Sequence, residues 1–346
     1  MSNISEQVFS ASLSYFLTPI GELLADESVR EIMVNGHDEV FVEQAGQLVR
    51  TDARFDDREQ LLAAVRNIAQ YVGVHLHEEV ARFDARLPQG HRVHVVLPPV
   101  SRAGISVTIR KHSKSSFGLS DLVRLGSISE AAVDFLQLAM EQERNMVIAG
   151  GTGTGKTTFI NALSTLIPNS DRIVTIEDAA ELQLDQDHVV SLESRAPDRK
   201  GKGAVSIRDL LHSSLRMRPD RIIVGECRGG EALDLLQAMN TGHGGSMSTV
   251  HANSPVETLR RLETLALFSG EDIPLRFLRA QVASAINLVI QLQRLAGERS
   301  VAGIAEVLPL TEQGEYQLQD IFRYDYSAGE LSRCGTASFE ETTAGA

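Results

Sequence analysis

Residues 150–158 read GGTGTGKTT, set between NMVIA (145–149) and FINALSTLI (159–167). Four glycines fall within six residues. Glycine inside a regular element costs about 0.5–1 kcal/mol relative to alanine, so the cluster implies a backbone that must approach something closely or adopt positive φ. The stretch fits G-x-x-x-x-G-K-[ST], with Gly150, Gly155, Lys156 and Thr157 at the fixed positions. In such a loop successive backbone N–H groups cradle an anion, here those of Gly151, Thr152, Gly153, Thr154, Gly155, Lys156, Thr157 and Thr158, and the following helix adds its positive end. Lys156 then reaches the β- and γ-phosphates of a bound nucleotide, and the Thr157 hydroxyl ligates Mg²⁺.

A phosphate loop requires a buried strand before it and a helix after it. Met146 to Ala149 is a short apolar run of the kind buried on both faces in a parallel sheet. Beyond the loop, Phe159, Ala162, Leu163 and Leu166 recur at helical spacing, and Pro168 ends the helix. The stretch therefore reads as strand, loop and helix of an α/β nucleotide-binding domain.

The rest of the composition sets bounds. A chain of 346 residues exceeds what one core ordinarily supports, so two domains are expected, and 42% apolar residues suffice to fill them. With 46 acidic against 33 basic side chains the net charge is −13, which disfavours a protein that coats nucleic acid. Two cysteines, Cys227 and Cys334, support neither a disulfide framework nor a cysteine zinc site. No signal-peptide pattern opens the chain and no run of 18 apolar residues occurs, so the expected location is cytoplasmic, with no direct membrane insertion.

Ahead of the loop, residues 17–24 are patterned as a helix. Arg30–Val34 and Glu39–Gln44 alternate as strands around an Asn35-Gly36 turn, and residues 57–72 place Leu61, Val65, Ile68 and Val72 on one helical face. RVHVVLPPV and ISVTIRK return to strand, giving a smaller α+β domain over 1–111. HSKSSFG, short, polar and serine-rich, marks a linker over 112–118. From 119 to 346, strand-like runs (MVIA, RIVTIE, RIIVGE, SMSTVHA, INLVIQL) alternate with helical ones, the pattern of a mostly parallel sheet flanked by helices. The Ser/Thr/Gly/Glu-rich tail from about 327 is expected to fray. RAPDRKGK (195–202) reads as a solvated basic loop.

In open α/β sheets ligands sit outside the carboxyl ends of the strands, so acids at those ends are the candidates for catalysis. RIVTIEDAAE ends its apolar run at Glu177-Asp178, and RIIVGECR ends at Glu226. One such acid would organise Mg²⁺ through its waters and the other would orient the attacking water, and the sequence leaves open which does which. His243 lies in a glycine-rich turn and His251 at the far end of the SMSTV strand.

Taken in order, GGTGTGKTT, VTIEDAAEL and LRMRPDRIIVGECRGGEALDLLQAMNTGHGGSMSTVHANSP resemble the Walker A, Asp box, Walker B and His box of the secretion ATPases of type II and type IV systems (GspE/PulE-like). Within them the chain is most similar to the tight-adherence (Flp/Tad) pilus branch, the CpaF/TadA-like ATPases. The resemblance implies a RecA-like P-loop NTPase domain preceded by a PAS-like α+β domain, using ATP and Mg²⁺ and assembled as a homohexamer. It further implies recruitment to the inner face of the inner membrane by pilus platform proteins. By the same match Glu177 belongs to the Asp box, Glu226 to Walker B and His251 to the His box, while Arg92, Arg102 and Arg110 match the amino-terminal arginines that face the nucleotide; Glu226 is the candidate for Mg²⁺, through water, with the roles of the two acids open to reversal. The absence of a tetracysteine insertion disfavours the main type II branch. Two other classes fit a phosphate loop, a small-molecule kinase and a DNA-translocating ATPase; no lid segment supports the first, and the charge opposes the second.

Overall fold

The computed structural model describes residues 3–44, 46–77, 79–111, 117–197, 201–295 and 297–343. Contacts divide the chain into two compact units, 1–115 and 116–346. Most of the expected linker, residues 112–116, and Asp198 to Lys200 of the basic loop lie outside the described residues.

The first unit opens with α1 (Asn3–Phe16) and, after a 3-10 turn, α2 (Gly21–Ala25). It continues through β1 (Val29–Asn35), β2 (Val40–Gln44), β3 (Gln47–Arg50), α3 (Arg58–Tyr71), β4 (Arg82–Arg86), β5 (Arg92–Val96) and β6 (Ser106–Arg110). The six strands form one sheet in the order β3-β2-β1-β6-β5-β4, antiparallel throughout. Asp57 caps α3 by accepting the Gln60 N–H at 2.8 Å, a contact of the kind that stabilises a helix start by about 1 kcal/mol. Leu61, Val65 and Ile68 of α3, with Leu13 of α1 and Leu17, pack on Ile32, Val34, Val95, Val107 and Ile109 of the sheet. The alternation read along β1 and β6 is thus the alternation of a sheet covered on one face.

The second unit runs α4 (Leu119–Arg124), α5 (Glu130–Glu141), β7 (Met146–Ala149), α6 (Lys156–Ser164), β8 (Ile173–Glu177), β9 (Val189–Glu193), α7 (Ile207–Ser214), β10 (Arg221–Val224), α8 (Glu231–Asn240) and β11 (Met247–Val250). It ends with α9 (Pro255–Leu267), α10 (Leu275–Ala285), β12 (Leu288–Leu295), β13 (Glu298–Leu308), β14 (Gln317–Asp325), β15 (Glu330–Arg333) and α11 (Ser338–Thr343). Its nine strands are ordered β15-β14-β13-β12-β7-β11-β10-β8-β9. From β12 to β9 every pairing is parallel, and β13 to β15 add an antiparallel meander. The sheet is therefore mixed. Successive residues of β7 feed opposite layers: Met146 and Ile148 join a core with α4, α5 and α6, and Val147 and Ala149 one with α7 to α10. Burial on both faces is why this strand reads as an unbroken apolar run.

The tail differs from expectation. Instead of fraying from 327, the chain adds β15 to β14 and folds α11 back on the sheet, with Ala337 and Phe339 buried. Phe339 stacks at 5.4 Å on Phe135, and the Ser338 N–H donates to Glu306 Oε2 at 2.9 Å. Those contacts offset the poor helix and strand propensities of the segment.

Candidate nucleotide site

β7 ends in the glycine-rich loop and α6 begins at Lys156. Gly150 has no room for a side chain, since a Cβ there would stand 2.6 Å from Thr154 Oγ1 and 3.0 Å from Leu292 O. Gly153 and Gly155 adopt φ of +73° and +91°, so the local cost of glycine is the cost of this turn. Thr154 Oγ1 donates to Gly151 O at 2.9 Å and closes the loop. Lys156 is buried, and its Nζ donates to Gly150 O at 3.0 Å and Gly151 O at 3.1 Å. Burial lowers its pKa, opposed by the charge of Glu226 and helped by that of Arg228. Thr157 lies in the first turn of α6, half-buried.

Hydrogen bonds between strand ends set the second wall. The Cys227 N–H donates to Thr249 O at 2.9 Å, and Thr249 Oγ1 donates to Gly225 O at 2.7 Å. This ties the chain after β10 to β11 and places Glu226 beside His251. The result is a continuous chain of polar contacts: Lys156 Nζ lies 3.4 Å from His251 Nδ1, and His251 Nε2 lies 2.6 Å from Glu226 Oε1. Glu226 Oε2 accepts from Arg228 Nε at 2.8 Å and Nη2 at 2.5 Å, and Arg228 Nη1 reaches Asp178 Oδ2 at 3.3 Å. Burial lowers the His251 pKa, opposed by the charge of Glu226. Glu226, Arg228, Asp178, Ser194, Arg195 and Glu231 line an open cleft of about 490 Å³.

Three of the candidate catalytic residues, Lys156, Glu226 and His251, are thus brought together. Glu177 is placed differently. It closes β8 one strand over, buried, and its Oε1 accepts the N–H groups of Glu181 at 2.9 Å and Leu182 at 3.0 Å. Burial raises its pKa to about 7. His243 is occupied at the end of α8, where Nδ1 lies 3.1 Å from Ala238 O. Cys227 is buried, and burial pushes its thiol pKa well up, as befits a packing residue.

Of the arginines in the first unit, Arg92 and Arg110 stand directly opposite each other on β5 and β6, and Arg102 is exposed in the connection between those strands. Arg228 and Arg299 were not singled out in the sequence. Arg228 follows Glu226 by two residues at a strand end, a spacing that puts both side chains on one side of extended chain and that carries the signal. Arg299 Nε donates to Gly153 O at 2.8 Å, and nothing in its local sequence marks it.

The donor set also fits Mg²⁺. Thr157, in the first turn of α6, offers a hydroxyl beside the loop, and Glu226, just past the end of β10, offers a carboxylate whose charge reaches Lys156, the hydroxyl-plus-acid pair that suits a phosphate-linked Mg²⁺ and its waters. Among the described residues no cluster of three or more His, Cys, Asp or Glu could hold an ion alone. Nucleotide-linked Mg²⁺ needs no such cage, because phosphates and waters supply most of its ligands. No helix among the described residues is long and apolar enough to cross a membrane.

Comparison with known proteins identifies the family and the fold. The profile of the family described as "Type II/IV secretion system protein" matches residues 16–319. The type IV secretion system protein PtlH of Bordetella pertussis is 35% identical over 322 residues, covering 86% of this chain and 95% of PtlH. The type IV secretion system protein VirB11 of Bartonella henselae is 33% identical over 326 residues, covering 83% and 91%. Among solved structures, the Legionella pneumophila ATPase DotB superposes with a TM-score of 0.58 at 22% identity, covering 90% of this chain and 82% of DotB. The pilus retraction motor PilT with bound ADP gives 0.59 at 20%, covering 94% and 83%, and at these identities the two structures establish the two-domain fold alone. The chain belongs to the type II/IV secretion system protein family.

Proposed function

We propose that the protein is an ATP-hydrolysing motor, acting as a homohexameric ring at the cytoplasmic face of the inner membrane, that drives a type IV pilus of the Flp/Tad kind or a related secretion machine through membrane platform proteins. The observation that carries the reading is the contact chain Lys156–His251–Glu226–Arg228 beside the phosphate loop. Lys156 and the loop N–H groups would hold the β- and γ-phosphates, and the Thr157 hydroxyl and Glu226, through water, would hold Mg²⁺, which would supply charge neutralisation at the phosphoryl group. His251 links the phosphate-binding lysine to the metal-organising acid. Glu177, turned onto backbone N–H groups, positions the Asp-box loop and takes up a proton near neutral pH.

A type IV secretion role is the second reading, favoured by the names of the PtlH and VirB11 relatives. Both readings require arginines from the amino-terminal unit, Arg92, Arg102 and Arg110, to complete the site by stabilising charge on the transferring phosphoryl group, and no nucleic acid in the cycle. Mixing a Lys156→Ala chain with an Arg110→Ala chain tests the ring. If Arg110 serves a neighbouring subunit, the two inactive chains together regain part of the ATPase activity, with gel filtration near six subunits in the presence of an ATP analogue. A monomer that hydrolyses ATP at full rate refutes the proposal.

A further inference from the structure

The hairpin of β12 and β13 brings to the phosphate loop a cation that none of the sequence motifs contains. β12 pairs in parallel with β7, Gln291 opposite Ala149, so the chain leaving β12 runs beside the chain leaving β7, which is the phosphate loop. β13 returns antiparallel with Arg299 directly opposite Arg294. Arg299 then lies across the loop: its Nε donates to Gly153 O at 2.8 Å, and its Cδ is 3.2 Å from where a Cβ on Gly155 would sit. Arg294 is exposed, with its Nε 3.4 Å from Gly297 O.

Two features of this arrangement favour an anion. Like charges directly opposite on paired strands destabilise a sheet, and a bound anion relieves that repulsion. The bond from Arg299 Nε to Gly153 O, moreover, fixes the guanidinium beside the loop, so its charge is in place before an anion arrives. We infer that Arg299 is a nucleotide-binding residue, which brings positive charge to the phosphates of the bound nucleotide while anchoring the loop that receives them. The inference rests on the ATP-binding reading above and extends the site to a strand outside its motifs.

The two contributions separate by side-chain length. In Arg299→Gln the amide nitrogen occupies the bond position of Nε, so a donor for Gly153 O is kept and the charge is lost. In Arg299→Lys the charge is kept and that donor is lost. ADP affinity of the full chain is measured by titration calorimetry. The Gln variant is expected to bind ADP about tenfold more weakly, the loss of one charge-assisted contact, and Lys to stay within about threefold of wild type. The Gln deficit shrinks between about 0.05 M and 0.5 M salt, as a charge effect must. Arg294→Gln, which removes the repulsion, raises the melting temperature of the nucleotide-free chain and reduces the further rise on adding ADP. Wild-type affinity in Arg299→Gln, a Lys variant as weak as Gln, or a deficit indifferent to salt overturns the inference. A wild-type chain that binds no ADP refutes the motor itself, and with it the role of Arg299.

Discussion

Replacing Glu177 by glutamine removes a titration that the fold makes costly. The carboxyl is buried at the end of β8, and burial raises its pKa from the ordinary 4.5 to about 7. Below pH 4.5 it is neutral in the folded and unfolded chains alike, and the stability its neutral form contributes is fully present. As the pH rises the unfolded chain loses its proton first, and that stability drains away until the folded carboxyl has also ionised, near pH 7. The interval from 4.5 to about 7, at about 1.36 kcal/mol per pH unit, sets the loss at about 3 kcal/mol. Glutamine presents an amide oxygen where Oε1 stands, so the bonds from Glu181 and Leu182 survive, and it does not titrate. Urea unfolding of the nucleotide-free chain, followed by far-UV circular dichroism, should find Glu177→Gln and wild type equally stable at pH 4.5. By pH 8 the variant should lead by about 3 kcal/mol. A difference that is flat across this range, or a variant weaker than wild type at pH 8, refutes the account of a buried carboxyl poised near neutrality.

Gly230→Ala should cost about 1–3 kcal/mol, because its Cβ would stand 2.7 Å from Ser269 N and Cα and 2.9 Å from Phe268 C, all backbone atoms that cannot rotate aside; an unchanged melting temperature counts against this close packing of the α9–α10 loop on the loop after Glu226. His251→Ala should lower ATP turnover roughly a hundredfold with a smaller change in ATP affinity, since it cuts the link between Lys156 and Glu226, and equal losses in the two would assign His251 to ground-state binding instead.

The glycine-rich loop between β7 and α6 and the acids at the ends of β8 and β10 were legible as structure because their signals are local: glycine spacing, an apolar run and a carboxylate at its end are all read within ten residues. Elements stabilised from a distance were not. α1 carries four serines in 14 residues, poor material for a helix, and it is held by Leu13 and Leu17 in the core against α3 and the sheet. β9, at the sheet edge, is only half-buried and shows no strong apolar pattern. β13 contains Ala302-Gly303, weak strand formers, and is fixed by ladders to β12 on one side and β14 on the other. Arg299 was invisible for the same reason, since its partner Gly153 is 146 residues away. The direction of Glu177 was equally out of reach: a carboxylate at a strand end can face the ligand or its own following loop, and only the loop's path decides.

The two cysteines have opposite fates, and this gives the protein a built-in handle. Cys227 is buried beside Glu226, with its thiol pKa pushed far up, whereas Cys334 is exposed just past β15, its pKa raised by partial burial and by the charge of Asp320. A thiol-directed dye applied at mildly alkaline pH therefore marks the folded chain once, at Cys334, without mutagenesis. Because the Cys334 N–H donates to Ile321 O at 2.8 Å, the dye is fixed to the edge of the nine-stranded sheet rather than to a free end. A second equivalent of dye taken up on denaturation then counts the molecules whose second unit has opened, so one reagent reports both position and integrity.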